Sequence, residues 1–207
     1  MTNTRTPTTR AAGTLRMISS ALTLVLVTTA NAEAANDKEW AATAYVAQVS
    51  SEDRWEDVFF DPFFSSYAHS FLLVAALSKR YALLHEGDLQ LEVEGNVAYA
   101  FDEQHYWQLN FAPLMARWQK FPWNHSVETS AAFGLGLSYA TELPELEVKQ
   151  EGDSSQLLVF WVAEVTAGPP GADWAISLRL HHRSVGYGLF GDKGGMNAVG
   201  LGVRYMF

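Results

Sequence analysis

Beyond its N-terminal segment the chain alternates apolar and polar side chains with a period of two, and sustained helical periodicity is hard to find. From Leu89 the odd positions Leu89, Leu91, Val93, Val97, Tyr99 and Phe101 are apolar, while Gln90, Glu92, Glu94 and Asn96 lie between them. From Trp107 the apolar set is Trp107, Leu109, Phe111, Pro113 and Met115, opposite Gln108, Asn110, Ala112, Leu114 and Ala116. The pattern returns as Val127, Ala131, Phe133, Leu135, Leu137 and Tyr139, then as Trp174, Ile176, Leu178 and Leu180, and last as Val199, Leu201, Val203, Tyr205 and Phe207. Segments near 40–49, 66–83 and 156–167 alternate less cleanly, and Ser70 to Leu77 is apolar on both faces. Turn-rich stretches at Ser51 to Asp57, His85 to Asp88, Asp102 to Gln104, Phe121 to His125, Leu143 to Ser155, Pro169 to Asp173 and Leu189 to Gly195 divide the chain into eight expected strands.

A soluble sandwich would alternate too, but three features favour a membrane barrel. The segments are about 10 to 15 residues long, enough for a tilted strand to cross a bilayer. Their apolar faces place Tyr99, Phe101, Trp107, Tyr139 and Trp174 near segment ends, where interfacial aromatics belong. The opposite faces are small or charged, as the interior of a narrow eight-strand barrel requires. The expected fold is therefore all-β: an eight-stranded antiparallel transmembrane β-barrel after a cleaved signal peptide.

The leader is read from Arg5, Arg10 and Arg16, the apolar run Met17 to Val27, and the small residues Ala30-Asn31-Ala32. Cleavage after Ala32, with Ala34 as the alternative, divides the chain into a signal peptide, 1–32, and a barrel, 33–207. The full chain of 207 residues has 14 basic and 23 acidic side chains and no cysteine, and the leader takes three of the basic ones. So acidic a balance offers no stripe to neutralise phosphates and excludes nucleic acid as a partner.

Candidate chemistry gathers late in the chain. With both termini in the periplasm, the seventh strand runs outward, and His182 and Ser184 continue the parity of Trp174, Ile176, Leu178 and Leu180. They face lipid near the outer-leaflet headgroups, where polar side chains cost free energy unless partnered. At i and i+2 of a strand, an imidazole can serve a hydroxyl as base for nucleophilic attack, and a nucleophile facing the outer leaflet meets acyl-bearing lipids. On spacing alone the plainer reading is two wetted rim residues. His181, Arg179, Arg183 and Arg204 point inward by parity, toward Glu92, Glu94 and Glu128, as an interior ion-pair network. His69, His85, His105 and His125 have no ligand spacing, so neither a metal site nor a cofactor is expected.

The stretch His182-Arg183-Ser184-Val185-Gly186, followed by Gly194-Gly195-Met196-Asn197 and a last strand ending in Phe207, resembles the outer-membrane lipid A deacylases of the PagL type. The resemblance covers about the last 30 residues. It implies a lipid A 3-O-deacylase, a carboxylic ester hydrolase whose site lies on the outer wall of an eight-stranded barrel. It assigns His182 as general base and Ser184 as nucleophile. The family's Asn after the serine is replaced by Val185. The acid that orients the histidine falls at Met196 by ungapped spacing and at Asn197 after a one-residue shift. Asn197 shares the outward parity of Val199, and an amide can orient an imidazole without supplying charge. Asn197 ranks first for that role and Asp192, in a Gly-rich loop, second. The expected partners are lipid A or another outer-leaflet lipid and the outer membrane, with a homodimer left open. The competing readings are a catalytically silent structural or adhesive barrel and a small-solute pore.

Overall fold

A computed structural model describes residues 38–51, 55–61 and 65–207. The expected leader lies outside the described residues. The strands are β1 (Trp40–Ser50), β2 (Tyr67–Leu84), β3 (Leu89–Asp102), β4 (Tyr106–Trp118), β5 (Glu128–Ala140), β6 (Leu157–Gly168), β7 (Trp174–Ser184) and β8 (Gly195–Met206). Each pairs antiparallel with the next, and β8 closes on β1, giving an eight-stranded barrel among the described residues. The expected strand count and order hold.

Closure abolishes the sheet edges, so every strand's backbone finds its partners within the wall, the condition for a sheet to stand in hydrocarbon. No described helix is long and apolar enough to cross a membrane. The strands cross instead: Leu73, Val97, Leu109, Phe133, Leu135, Ile176, Leu178 and Leu201 stand exposed on the outer wall. Aromatics mark both rims, with Tyr99 against Trp107 and Phe71 stacked on Phe101 at one end, and Trp40, Trp118, Trp174 and Tyr205 at the other. The long connections, 51–66, 141–156 and 185–194, share the first end, which is extracellular in barrels of this kind.

The interior has two layers. Toward the loop end it is apolar, built from Tyr45, Leu72, Val74, Tyr106 and Met196, which explains why β2 is apolar on both faces there. Toward the turn end it is charged. Arg179 donates from both terminal nitrogens to the Glu94 carboxylate, at 2.8 Å each, and from Nε to Glu164 at 3.1 Å. Arg117 donates to Glu92 and Glu164 at 2.8 and 2.5 Å, and Arg204 donates to both Glu92 oxygens at 3.0 Å. Three guanidinium groups thus meet three carboxylates, which is how buried charges are tolerated.

The structure corrects the sequence reading at three places. A bulge between Phe111 and Leu114 shifts the β4 register against β5, so the expected faces invert: Leu114 is exposed on the wall and Met115 is buried inside. Pro113, with no N–H to give the ladder, sits in that bulge, and Gly136 opposite leaves room for it, since a Cβ there would stand 1.8 Å from the Phe111 carbonyl oxygen. The inversion carries Arg117 into the charged layer. Glu128 does not join that layer: as the first residue of β5 it stands exposed at the rim and accepts the Gly171 N–H at 2.8 Å. The expected turn stretch Leu143 to Ser155 contains helix α2 (Glu145–Glu151), and the stretch Ser51 to Asp57 runs into helix α1 (Trp55–Phe60), which extends beyond it.

Candidate active site

The loop end of β7 is clamped from inside. Arg183 points into the barrel mouth, donates to the Ser155 carbonyl at 2.6 Å and pairs with Glu147 of α2 at 3.3 Å. Ser154 donates to the other Glu147 oxygen at 2.6 Å, so the loop carrying α2 is tied to the strand that carries His182 and Ser184.

On the outer side, the sheet register sets His182 between Asn197 of β8 and Trp161 of β6, and Ser184 between Gly195 and Val159. The outward parity expected for all three polar residues is the one observed. The His182 Nδ1–H donates to Asn197 Oδ1 at 2.6 Å, which leaves Nε2 as the basic nitrogen. Trp161 stacks on the other flank of the imidazole, with ring centroids 4.4 Å apart and planes 27° from parallel. His182 is consequently only 6% exposed, a departure from a ring lying open to lipid. Ser184 is half-buried, and its Oγ accepts the Gly186 N–H at 3.4 Å; among the described residues no hydrogen bond joins it to His182. Gly186 is needed where it stands: its φ is +59° and a Cβ would meet Val159 Cγ2 at 2.3 Å.

Met196, the ungapped position, is buried inside, where it receives the Tyr106 hydroxyl on its sulfur at 3.9 Å. Asp192 stands exposed in the β7–β8 loop and makes no hydrogen bond or ion pair among the described residues. The structure therefore brings His182 to Asn197 and leaves Asp192 apart.

Two contributors escaped the sequence reading. Trp161 lies in a strand whose alternation is blurred. Helix α1 is short, but its Trp55, Val58 and Phe59 have the i, i+3, i+4 spacing of a helical face, the signal that could have found it. α1 lies on the outer wall, with Val58 1% exposed and Trp55 edge-on to Trp161 at 5.6 Å. Beneath it a trough of about 630 Å³ follows the hydrogen-bonded rows of the sheet. Its floor includes Ala116, Ala131 and Ala163, and its sides include Phe133, Leu178 and Leu180. One row further toward the loops are His182 and Trp161.

A closed eight-stranded barrel with an apolar outer wall defines the class: this is a β-barrel protein of the bacterial outer membrane. No protein-family model matches the chain, and no curated protein matches its sequence. Among solved structures it is similar to the outer membrane enzyme PagL, at 14% identity and a TM-score of 0.56, covering 80% of this chain and 98% of that one. It is also similar to Neisserial surface protein A, at 14% identity and a TM-score of 0.48 over 84% of this chain and 100% of that one. The N-terminal β-barrel domain of Pseudomonas aeruginosa OprF aligns at 13% identity and a TM-score of 0.45, over 82% and 97%. At such identities the likeness is one of fold.

Proposed function

We propose that the barrel is an outer-membrane serine esterase that removes an ester-linked acyl chain from lipid A. The observation that carries the reading is the outward-facing His182–Asn197 pair, held at 2.6 Å with Nε2 left basic, one outward step along β7 from Ser184. Ser184 Oγ leaves its contact with the Gly186 N–H and attacks the ester carbonyl carbon while His182 Nε2 takes the hydroxyl proton. The same proton passes to the departing alkoxide as the ester C–O bond breaks, leaving the acyl chain on Oγ. Water, deprotonated by Nε2, then attacks that acyl group and releases the fatty acid. The Gly186 N–H, already donating to Ser184 Oγ at 3.4 Å, is a backbone donor suited to the oxyanion. The alanine-floored trough under α1 is open to the hydrocarbon and suits the acyl chain, while the headgroup stays at the aromatic rim.

Expression in a Gram-negative host, followed by mass spectrometry of lipid A, tests this. Loss of one acyl mass that depends on Ser184 is the expected result. An unchanged acyl pattern in native membrane, or activity that survives Ser184→Ala, overturns it.

The neutral amide at Asn197, where the resembled family has an acid, favours a second reading: a structural or adhesive barrel without catalysis. A serine-directed fluorophosphonate that labels Ser184 only when His182 is present would dismiss that reading.

A further inference from the structure

Ser184 stands where β7 gives way to a loop with little internal order. The β7–β8 connection, 185–194, has left-handed φ at Gly186, Tyr187, Gly188, Gly191 and Gly194. Among the described residues its internal backbone hydrogen bonds run from the Leu189 N–H to the Gly186 carbonyl at 3.3 Å and from the Phe190 N–H to the Val185 carbonyl at 3.1 Å. Suppressing so much backbone freedom costs entropy. Yet Ser184 Oγ and the Gly186 N–H must keep a fixed relation if one is to attack and the other to receive the oxyanion.

The missing order has a source in the β5–β6 loop. Its helix α2 is anchored to the barrel: Leu146 packs on the apolar interior layer, and its N–H donates to Gln104 Oε1 at 3.4 Å. Of the seven residues of α2 the buried one is a carboxylate, Glu147. One of its oxygens accepts from Ser154 at 2.6 Å, and the other faces Arg183 Nε at 3.3 Å. Arg183, the residue before Ser184, also reaches the Ser155 and Gln156 carbonyls from Nη2, at 2.6 and 3.2 Å. The far end of the β7–β8 loop is gripped as well. The Gly194 N–H donates to Glu151 Oε2 at 3.3 Å, and Gly194 lies so close to Ser154 that a Cβ there would stand 2.7 Å from Oγ. One neighbouring loop thus holds both ends of the connection, and Glu147 joins the two grips through Arg183 and Ser154.

From this arrangement we propose that Glu147, acting through Arg183 from inside the barrel mouth, is a positioning residue for Ser184 and the Gly186 N–H on the outside. The proposal rests on the esterase reading of His182 and Ser184. A buried ion pair adds little stability over apolar side chains of similar volume, because both charges must be stripped of water. What the Glu147–Arg183 pair supplies is one fixed geometry: it ties the last turn-free residues of β7 to a helix that the barrel itself holds rigid.

The test uses the full-length barrel in detergent micelles containing lipopolysaccharide, with three readouts per folded molecule: the rate of fluorophosphonate labelling of Ser184, kcat and KM for fatty-acid release, and hydrogen exchange at the Gly186 amide. Glu147→Gln is expected to lower kcat and the labelling rate about tenfold, less than the roughly 10²- to 10³-fold lost when an oxyanion donor is removed outright. KM should stay unchanged, and exchange at Gly186 should quicken. Glu147→Asp should recover part of the rate. Because Glu147→Gln leaves the Arg183 charge buried without its counter-charge, Glu147→Leu combined with Arg183→Met is the second variant. Its apolar pair should keep the unfolding midpoint near the parent's while labelling stays slow. Arg179→Leu, in the charged layer, calibrates lost stability and should label at the parent rate. The proposal is overturned if Glu147→Gln and the double variant label at the parent rate, or if Arg179→Leu slows labelling as much as Glu147→Gln does at an equal loss of stability. It is equally overturned if KM rises with kcat unmoved, which marks contact with substrate. If the parent barrel neither labels nor releases fatty acid, the esterase reading falls on its own. Exchange at Gly186 then still decides the positioning: a faster rate in Glu147→Gln upholds it, and an unmoved rate overturns it.

Discussion

His181 and His182 are consecutive on β7 and share no environment. His181 points into the barrel, where the Tyr45 hydroxyl donates to its Nδ1 at 2.9 Å and its Nε2–H donates to Gln108 Oε1 at 3.1 Å. Phe160 packs against its ring at 4.9 Å. Both nitrogens are engaged, and the ring is a buried strut between β1, β4 and β6. His182 points out, spends its Nδ1–H on Asn197 and leaves Nε2 without that hydrogen. The two imidazoles are thus held as opposite tautomers, one with its proton on Nε2 and the other on Nδ1. A pleated strand delivers two identical side chains to two media, and the partner residues decide which becomes structure and which becomes a base.

The sharpest way to break this comparison is Ser184→Ala. Lipid A deacylation should fall by about 10³-fold or more, equivalent to roughly 4 kcal/mol of transition-state stabilisation. Heat-modifiable migration of the barrel on gels should not change, because the hydroxyl's partner, the Gly186 N–H, lies outside the interior packing and the strand ladder. Arg179→Leu should do the reverse. It strips the two buried carboxylates Glu94 and Glu164 of a shared partner, a loss of about 3 to 5 kcal/mol, visible as unfolding at a lower urea concentration. Activity per folded molecule should be retained.

His181→Leu addresses the comparison directly. It leaves the Tyr45 hydroxyl and Gln108 Oε1 without that partner at about 1 to 3 kcal/mol each, while fluorophosphonate labelling of the folded fraction continues. A strong loss of labelling with an intact barrel would mean that the two histidines are not independent. Asn197→Ala removes one hydrogen bond on the outer wall, so turnover should drop about tenfold with little change in the unfolding midpoint. Asp192→Ala should alter neither the lipid A mass spectrum nor the unfolding curve. Silencing by Asp192→Ala beside a near-normal Asn197→Ala would reverse their ranks.

How much of this was legible in advance depends on the range of the interaction. The outward parity of His182, Ser184 and Asn197 follows from the two-residue period of a strand, counted along uninterrupted stretches of β7 and β8. The same counting failed in β4, where one extra residue at Pro113 inverted both faces and hid the inward turn of Arg117. The charged layer was foreseen as a class and missed in detail: Arg117 and Glu164 belong to it and Glu128 does not. Trp161 and α1 were not legible at the site, because Trp161 reaches His182 from β6 and Trp55 of α1 reaches Trp161 from a loop more than a hundred residues away.

The chain's own alternation, aromatic placement and strand lengths determined that it would close as an eight-stranded barrel with an apolar outside, since local periodicity decides which medium each face meets. Tertiary structure alone decided three things: which strand partner took the His182 Nδ1 proton, that a tryptophan would cover the ring and a six-residue helix would pack on that tryptophan, and that the interior would divide into an apolar and a charged layer. Those outcomes depend on the register between strands and on loop docking, and both are set by the joint packing of segments that have no spacing rule connecting them in the sequence.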